Sequence, residues 1–232
     1  MWAAQVAAAE RQGLKVIVGS GGRSLSDWPL ALRSPALWGY QLQDEPSSKD
    51  FGWLRNLSVH IAARRPDALQ FVCLLPNIGT PQQFIGRPCQ KSEPNCAATA
   101  YDQYLSRFVS TFKPRVLIMD HYPYWNRAEK KDVLVSIDTR DAYRQNLASL
   151  RTAAAAAGRN TRTIPPPFSS ASQPSVAAGI PFWNFFHGSM PFGSLVQPTE
   201  AQVRWQVMTS LACEAQPTQS IAYIVSKLRF HL

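Results

Sequence analysis

Trp38-Gly39-Tyr40-Gln41-Leu42-Gln43-Asp44-Glu45-Pro46 reads as a buried strand that ends in two carboxylates and is stopped by a proline. Alternation along a strand puts Gly39, Gln41, Gln43 and Glu45 on one face and Tyr40, Leu42 and Asp44 on the other. The second face, apolar before its tip, suits packing against helices. The first then holds Gln41 and Gln43, with Glu45 at its rim. A glutamate in a partly dry rim can hold its proton to higher pH and so serve as a general acid. The plainer reading is that Glu45 and Asp50 favour the positive N-terminus of a following helix.

Outward from this strand the chain repeats strand, loop and helix. Short apolar runs occupy Leu14 to Gly19, Leu69 to Leu75, Val116 to Asp120, Phe182 to Phe186 and Ile221 to Val225. Near-continuous apolar runs suit strands buried on both faces. Between them lie helical patterns over Phe51 to Ala63, Tyr101 to Phe112, Asp141 to Ala157 and Val203 to Cys213. Tyr101, Tyr104, Phe108 and Phe112 form one stripe, read as core packing. Thr199 with Gln202 forms a capping-box pattern, and Gly158 marks a helix stop. Strands alternating with helices predict a parallel sheet with crossover helices. The fold class expected is α/β, of the (β/α)8 TIM-barrel type. A doubly wound sheet is the rival, but no Gly-x-Gly-x-x-Gly follows the first strand; Gly19 to Gly22 lacks that spacing. Residues 159–178, rich in Pro, Ser, Thr and Arg and including Pro165-Pro166-Pro167, read as an insertion in a helix-to-strand connection.

The chain has 232 residues, 45% of them hydrophobic, which suits a single domain with a real core. Lys plus Arg number 24 against 15 Asp plus Glu, a formal charge of +9. The basic residues are scattered, with only pairs such as Arg64-Arg65 and Lys130-Lys131, which speaks for a solvated surface and against nucleic acid as a partner. No run of 18 apolar residues occurs, so no membrane span is expected. Cys89 and Cys96 share one polar loop and can close a small disulfide, which would suit secretion. Cys73 lies in an apolar run and reads as core. The stretch from Met1 to Ala9 resembles the middle of a helix and lacks a signal peptide's basic start, so the compartment stays open. No nucleophile elbow, HExxH or cysteine-histidine metal spacing is present, so neither cofactor nor metal is expected.

Further strand tips carry polar and aromatic groups. Asp120-His121-Tyr122-Pro123-Tyr124 suits a sugar pocket, where aromatic faces stack on the ring and Asp and His bind hydroxyls. Trp183, Asn184 and His187 follow at another tip, and Asn77 at a third. Tips on successive strands collect at one place only if the strands curl into a common rim.

These runs resemble barrel strands of glycoside hydrolases, similar to the catalytic domains of the retaining beta-galactosidase-like clan. The resemblance rests on Trp38 to Pro46, Phe71 to Asn77, Val116 to Pro123, Ile180 to Phe186 and Pro198 to Gln206. It implies an acid/base glutamate at the fourth strand, matched by Glu45, with Asp44 where asparagine is usual. The six readable strands would then be the third to the eighth, and the chain a partial barrel lacking the first two strands and the last helix. The clan's seventh-strand nucleophile has no counterpart between Trp183 and His187, leaving Asp120 as the second acid. The resemblance thus implies a hydrolase of O-glycosidic bonds acting on a carbohydrate. Glu45 and Asp120 would be catalytic, and Asp44, Asn77, His121, Tyr122, Trp183, Asn184 and His187 would hold the sugar. The alternatives are a non-catalytic carbohydrate-binding barrel and an inactive truncated homologue.

Overall fold

The computed structural model describes residues 2–19, 28–30, 33–130, 133–160, 179–187 and 197–213. The element order is α1 (Trp2–Arg11), β1 (Val16–Gly19), β2 (Leu37–Asp44), α2 (Phe51–Ala62), β3 (Leu69–Leu74), α3 (Pro81–Ile85), α4 (Cys96–Phe112), β4 (Leu117–Asp120), β5 (Tyr124–Lys130), β6 (Val133–Asp138), α5 (Arg140–Asn160), β7 (Phe182–Phe185) and α6 (Glu200–Ala212). The expected strand at Ile221 to Val225 and residues 161–178 of the expected insertion lie outside the described residues.

The architecture is mixed α/β. Five parallel strands form one sheet in the order β1-β2-β3-β4-β7, so chain neighbours within the sheet are also spatial neighbours. The two faces differ. One carries the main core, where Val18, Tyr40, Leu42, Val72, Leu74, Leu117, Met119 and Phe182 meet apolar residues of α2, α4 and α5. The other carries a smaller cluster built from strand residues and the residue just before β4: Leu69, Phe71, Cys73, Val116 and Ile118, with Ile17, Trp183 and Phe185 packed on it. No helix residue among those described enters this second cluster.

The helices form where apolar spacing predicts them. Phe51, Leu54, Leu57 and Ile61 are the buried face of α2. The stripe Tyr101, Tyr104, Phe108 and Phe112 on α4 is fully core. At the start of α6 both halves of the Thr199–Gln202 capping box are made. Arg65, half of one basic pair, is buried and donates to the Leu37 carbonyl at 3.5 Å, so it serves the base of β2 rather than the surface charge.

The structure departs from the sequence pattern in three places. The helix does not stop at Gly158 but runs to Asn160, because the alanine run before it outweighs the roughly 1 kcal/mol a helical glycine costs. The chain between Tyr124 and Asp138, assigned no structure from the sequence, pairs as an antiparallel hairpin, β5 with β6. The simple alternation along β2 fails at its end, where register with β3 shifts between Gln41 and Asp44. Gly39 and Gln41 pair with Leu69 and Phe71, and Asp44 pairs with Cys73. Asp44 therefore joins the Gln41 face instead of opposing it.

The Cys89–Cys96 disulfide is formed and closes the loop ahead of α4. No helix among the described residues is long and apolar enough to cross a membrane.

Candidate functional site

Residues level with one another in a parallel sheet project to the same side. Asp44 is level with Cys73, Cys73 with Ile118, Ile118 with Trp183, and Asp120 with Phe185. Asp44, Cys73, Asp120, Trp183 and Phe185 thus belong to the face that carries the strand-only cluster. The acids lie at the carboxyl end of the strands, and Trp183 lies one layer deeper than Asp120.

Asp44, Cys73 and Asp120 each bring a donor atom within 4.8 Å of the others. The Cys73 thiol lies close against the Asp120 carboxyl. We assign the trio no ion. Gln41 supports the rim from below, its Nε2 donating to Asp44 Oδ1 at 3.4 Å.

Burial pushes the Asp120 carboxyl up to about 7, and the negative charges of Glu45 and Asp44 push the same way; the Cys73 hydrogen bond opposes them. The buried Cys73 thiol is pushed up by desolvation, then by Asp120 and Asp44, and so stays protonated. Tyr122 lies against Asp120, its hydroxyl also driven up by burial and by that carboxyl. The Tyr122 ring meets His187 edge-on at 6.0 Å.

Glu45 is exposed at the rim. Its backbone is left-handed, with φ of 47°, a region that a side chain with a Cβ rarely occupies. Its N–H nonetheless donates to the Cys73 carbonyl at 2.9 Å, so the β2–β3 ladder continues through it.

Not every expected sugar ligand joins this group. His121 follows Asp120 but turns to the helix side and is buried, its Nδ1 3.3 Å from Asn146 Nδ2 and its Nε2 3.0 Å from Thr139 Oγ1. Asn77 donates to the Ala142 carbonyl at 3.0 Å and ties the exit of β3 to α5. Asn184 also lies on the helix side, level with Met119, and donates to Tyr143 Oη and, at 3.1 Å, to Ser210 Oγ. His187 is buried, and its backbone exchanges hydrogen bonds with the Gln206 amide at 3.0 and 3.1 Å. Their hydrogen bonds tie the rim to the helices, and His187 also keeps its ring contact with Tyr122. For His121 and Asn184 the physical reason is alternation, since each adjoins a residue of the opposite face, whereas Asn77 and His187 lie beyond the ends of β3 and β7.

In the sequence Cys73 and Phe185 are simply apolar members of strand runs. Their place beside Asp44 and Asp120 comes from inter-strand register, which no local pattern carries.

No family model, curated protein or solved structure matches the chain.

Proposed function

We propose that this chain is a carbohydrate-active domain of (β/α)8-barrel type that hydrolyses O-glycosidic bonds. One observation carries the reading. Asp44 and Asp120 bring carboxyl oxygens within 4.8 Å of each other at the carboxyl end of a parallel sheet, within reach of the Glu45 charge, beside Tyr122 and above Trp183, on the face whose core cluster holds no helix residue among those described. Strands in chain order, with helices packed against the opposite face, suit a wall of a barrel better than a doubly wound sheet, whose strand order reverses.

Cleaving an acetal needs one carboxyl that carries a proton and one that does not. The charges of Glu45 and Asp44 both bear on the buried Asp120 and favour its protonated form. Asp120, buried beside these charges, holds a proton up to about 7. Glu45, exposed at the rim, takes up that proton from Asp120 and delivers it to the glycosidic oxygen as the C–O bond breaks, which leaves Asp120 anionic. The anionic Asp120 and Asp44 steady the positive charge developing at the anomeric carbon until a water molecule adds there and returns its proton to the carboxyl pair. Tyr122 and Trp183 give the sugar ring aromatic surface.

A panel of activated aryl glycosides tests this. Glu45→Gln and Asp120→Asn should each lower turnover by about 10²–10⁴-fold. Unchanged rates in both variants would end the hydrolase reading. A second reading, a sugar-binding barrel without turnover, is favoured by the β7 tip, which offers Phe185 rather than an acid level with Asp120. Oligosaccharide binding by calorimetry with no hydrolysis would select it.

A further inference from the structure

The left-handed backbone at Glu45 requires something to hold it, because a side chain in that region crowds its own carbonyl. On its N-terminal side the holding contact is the bond from Glu45 N–H to the Cys73 carbonyl. On its C-terminal side it is a tyrosine from α4, 58 residues away in the chain. The Tyr104 hydroxyl donates to the Pro46 carbonyl at 3.0 Å and accepts from the Leu75 N–H at 3.2 Å. One oxygen thus clamps the chain leaving β2 to the chain leaving β3, directly below the rim that carries Glu45.

The clamp is rigid. Tyr104 is fully buried, with Phe51 and Phe84 packed on its ring at centroid distances of 5.1 and 5.5 Å. Burial drives its hydroxyl far from ionisation, so it remains a donor at every working pH. A phenylalanine would fill the same apolar site, so packing alone does not account for the hydroxyl. Two backbone groups that have left the sheet ladder account for it.

We infer that Tyr104 is a positioning residue for Glu45: its hydroxyl fixes the β2 exit against the β3 exit and so aims the Glu45 carboxyl at Asp120. The inference rests on the reading of Glu45 and Asp120 as the working pair, yet its test does not require turnover.

The variant is Tyr104→Phe, followed by carbon NMR of the Asp120 carboxyl across pH. With Glu45 released, its charge no longer bears on Asp120, and the Asp120 midpoint should fall toward the ordinary carboxylate range. Tyr143→Phe is the control, since that hydroxyl is equally buried but bonds Gln206 and Ser210 on α6. It should lower the melting temperature and leave the Asp120 midpoint in place. If turnover is present, Tyr104→Phe should lower kcat at least tenfold with KM nearly unchanged. A folded Tyr104→Phe chain whose Asp120 midpoint matches wild type would overturn the inference, whatever the activity. A measurement without any variant guards against failure to fold. The wild-type amides of Leu75 and Glu45 should exchange with solvent as slowly as those of the sheet interior, and rapid exchange at either would equally overturn it. Absence of glycosidase activity alongside a shifted midpoint would reject the proposed reaction and keep the clamp.

Discussion

Asp120 and His121 are chain neighbours that serve opposite faces of the sheet, and burial shifts them in opposite senses. Asp120 keeps its proton up to about 7, whereas His121, pressed under α5, is lowered to about 4. Each stays neutral where an exposed counterpart would be charged. Across the pH range between these midpoints their effects on stability oppose one another. The wild-type chain should therefore show a flatter pH dependence than either residue alone would give it.

For Asp120, the folded state binds the proton more tightly than the unfolded state. Its contribution is fully present below the ordinary carboxylate midpoint and is lost as pH rises through about 7. Asp120→Asn removes that loss. The variant and wild type should melt alike at pH 4, and the variant should be the more stable at pH 8. The difference should grow by up to about 1.4 kcal/mol per pH unit across the window. Thermal melts at the two pH values check this, and a variant equally destabilised at both would contradict it.

For His121, the folded state binds the proton less tightly. Its contribution is present above the ordinary histidine midpoint of 6.5 and is lost as pH falls through about 4. Asparagine can place an oxygen near the site of Nδ1 and still accept from Asn146. His121→Asn should therefore lose less stability than wild type between pH 7 and pH 4, and should expose the opposite slope due to Asp120. Denaturant titrations at half-unit pH steps would read both slopes. An unchanged acid limb would show that His121 is not the group responsible.

Gly39 is the third residue of β2, where a Cβ would sit 2.4 Å from the Leu69 carbonyl oxygen and 2.9 Å from Leu69 Cβ. Neither atom belongs to a flexible side-chain end. Gly39→Ala should push β2 away from β3 and cost about 1–3 kcal/mol, as overpacking in a close-packed interior does. Because the same strand pair carries Asp44 opposite Cys73, the Asp120 midpoint should move as well. A melt within a degree of wild type would refute the tight contact.

Much of the scaffold is legible without coordinates. The apolar runs around Tyr40, Val72, Ile118 and Trp183 are strands, the α4 aromatic stripe is core, and Thr199 caps α6. These follow from the period of burial and from backbone groups that must be satisfied locally. The pairing of β5 with β6 is not legible locally, because β5, Tyr124–Lys130, carries mostly polar and charged residues and gives β6 no apolar partner run.

The candidate rim divides along the same line. That Asp44, Glu45, Asp120, Tyr122 and Trp183 end or flank strands is written in the chain, since apolar runs, prolines and acids are local features. Which of them face one another is not. The shift after Gln41 turned Asp44 to the Cys73 side, and alternation sent His121 and Asn184 to the helices. Tyr104 reached Pro46 and Leu75 from a distant helix. Register and long-range hydrogen bonds arise only when separate segments pack. The order of the residues therefore specifies the strands and their tips, and packing alone selects which tips share a face.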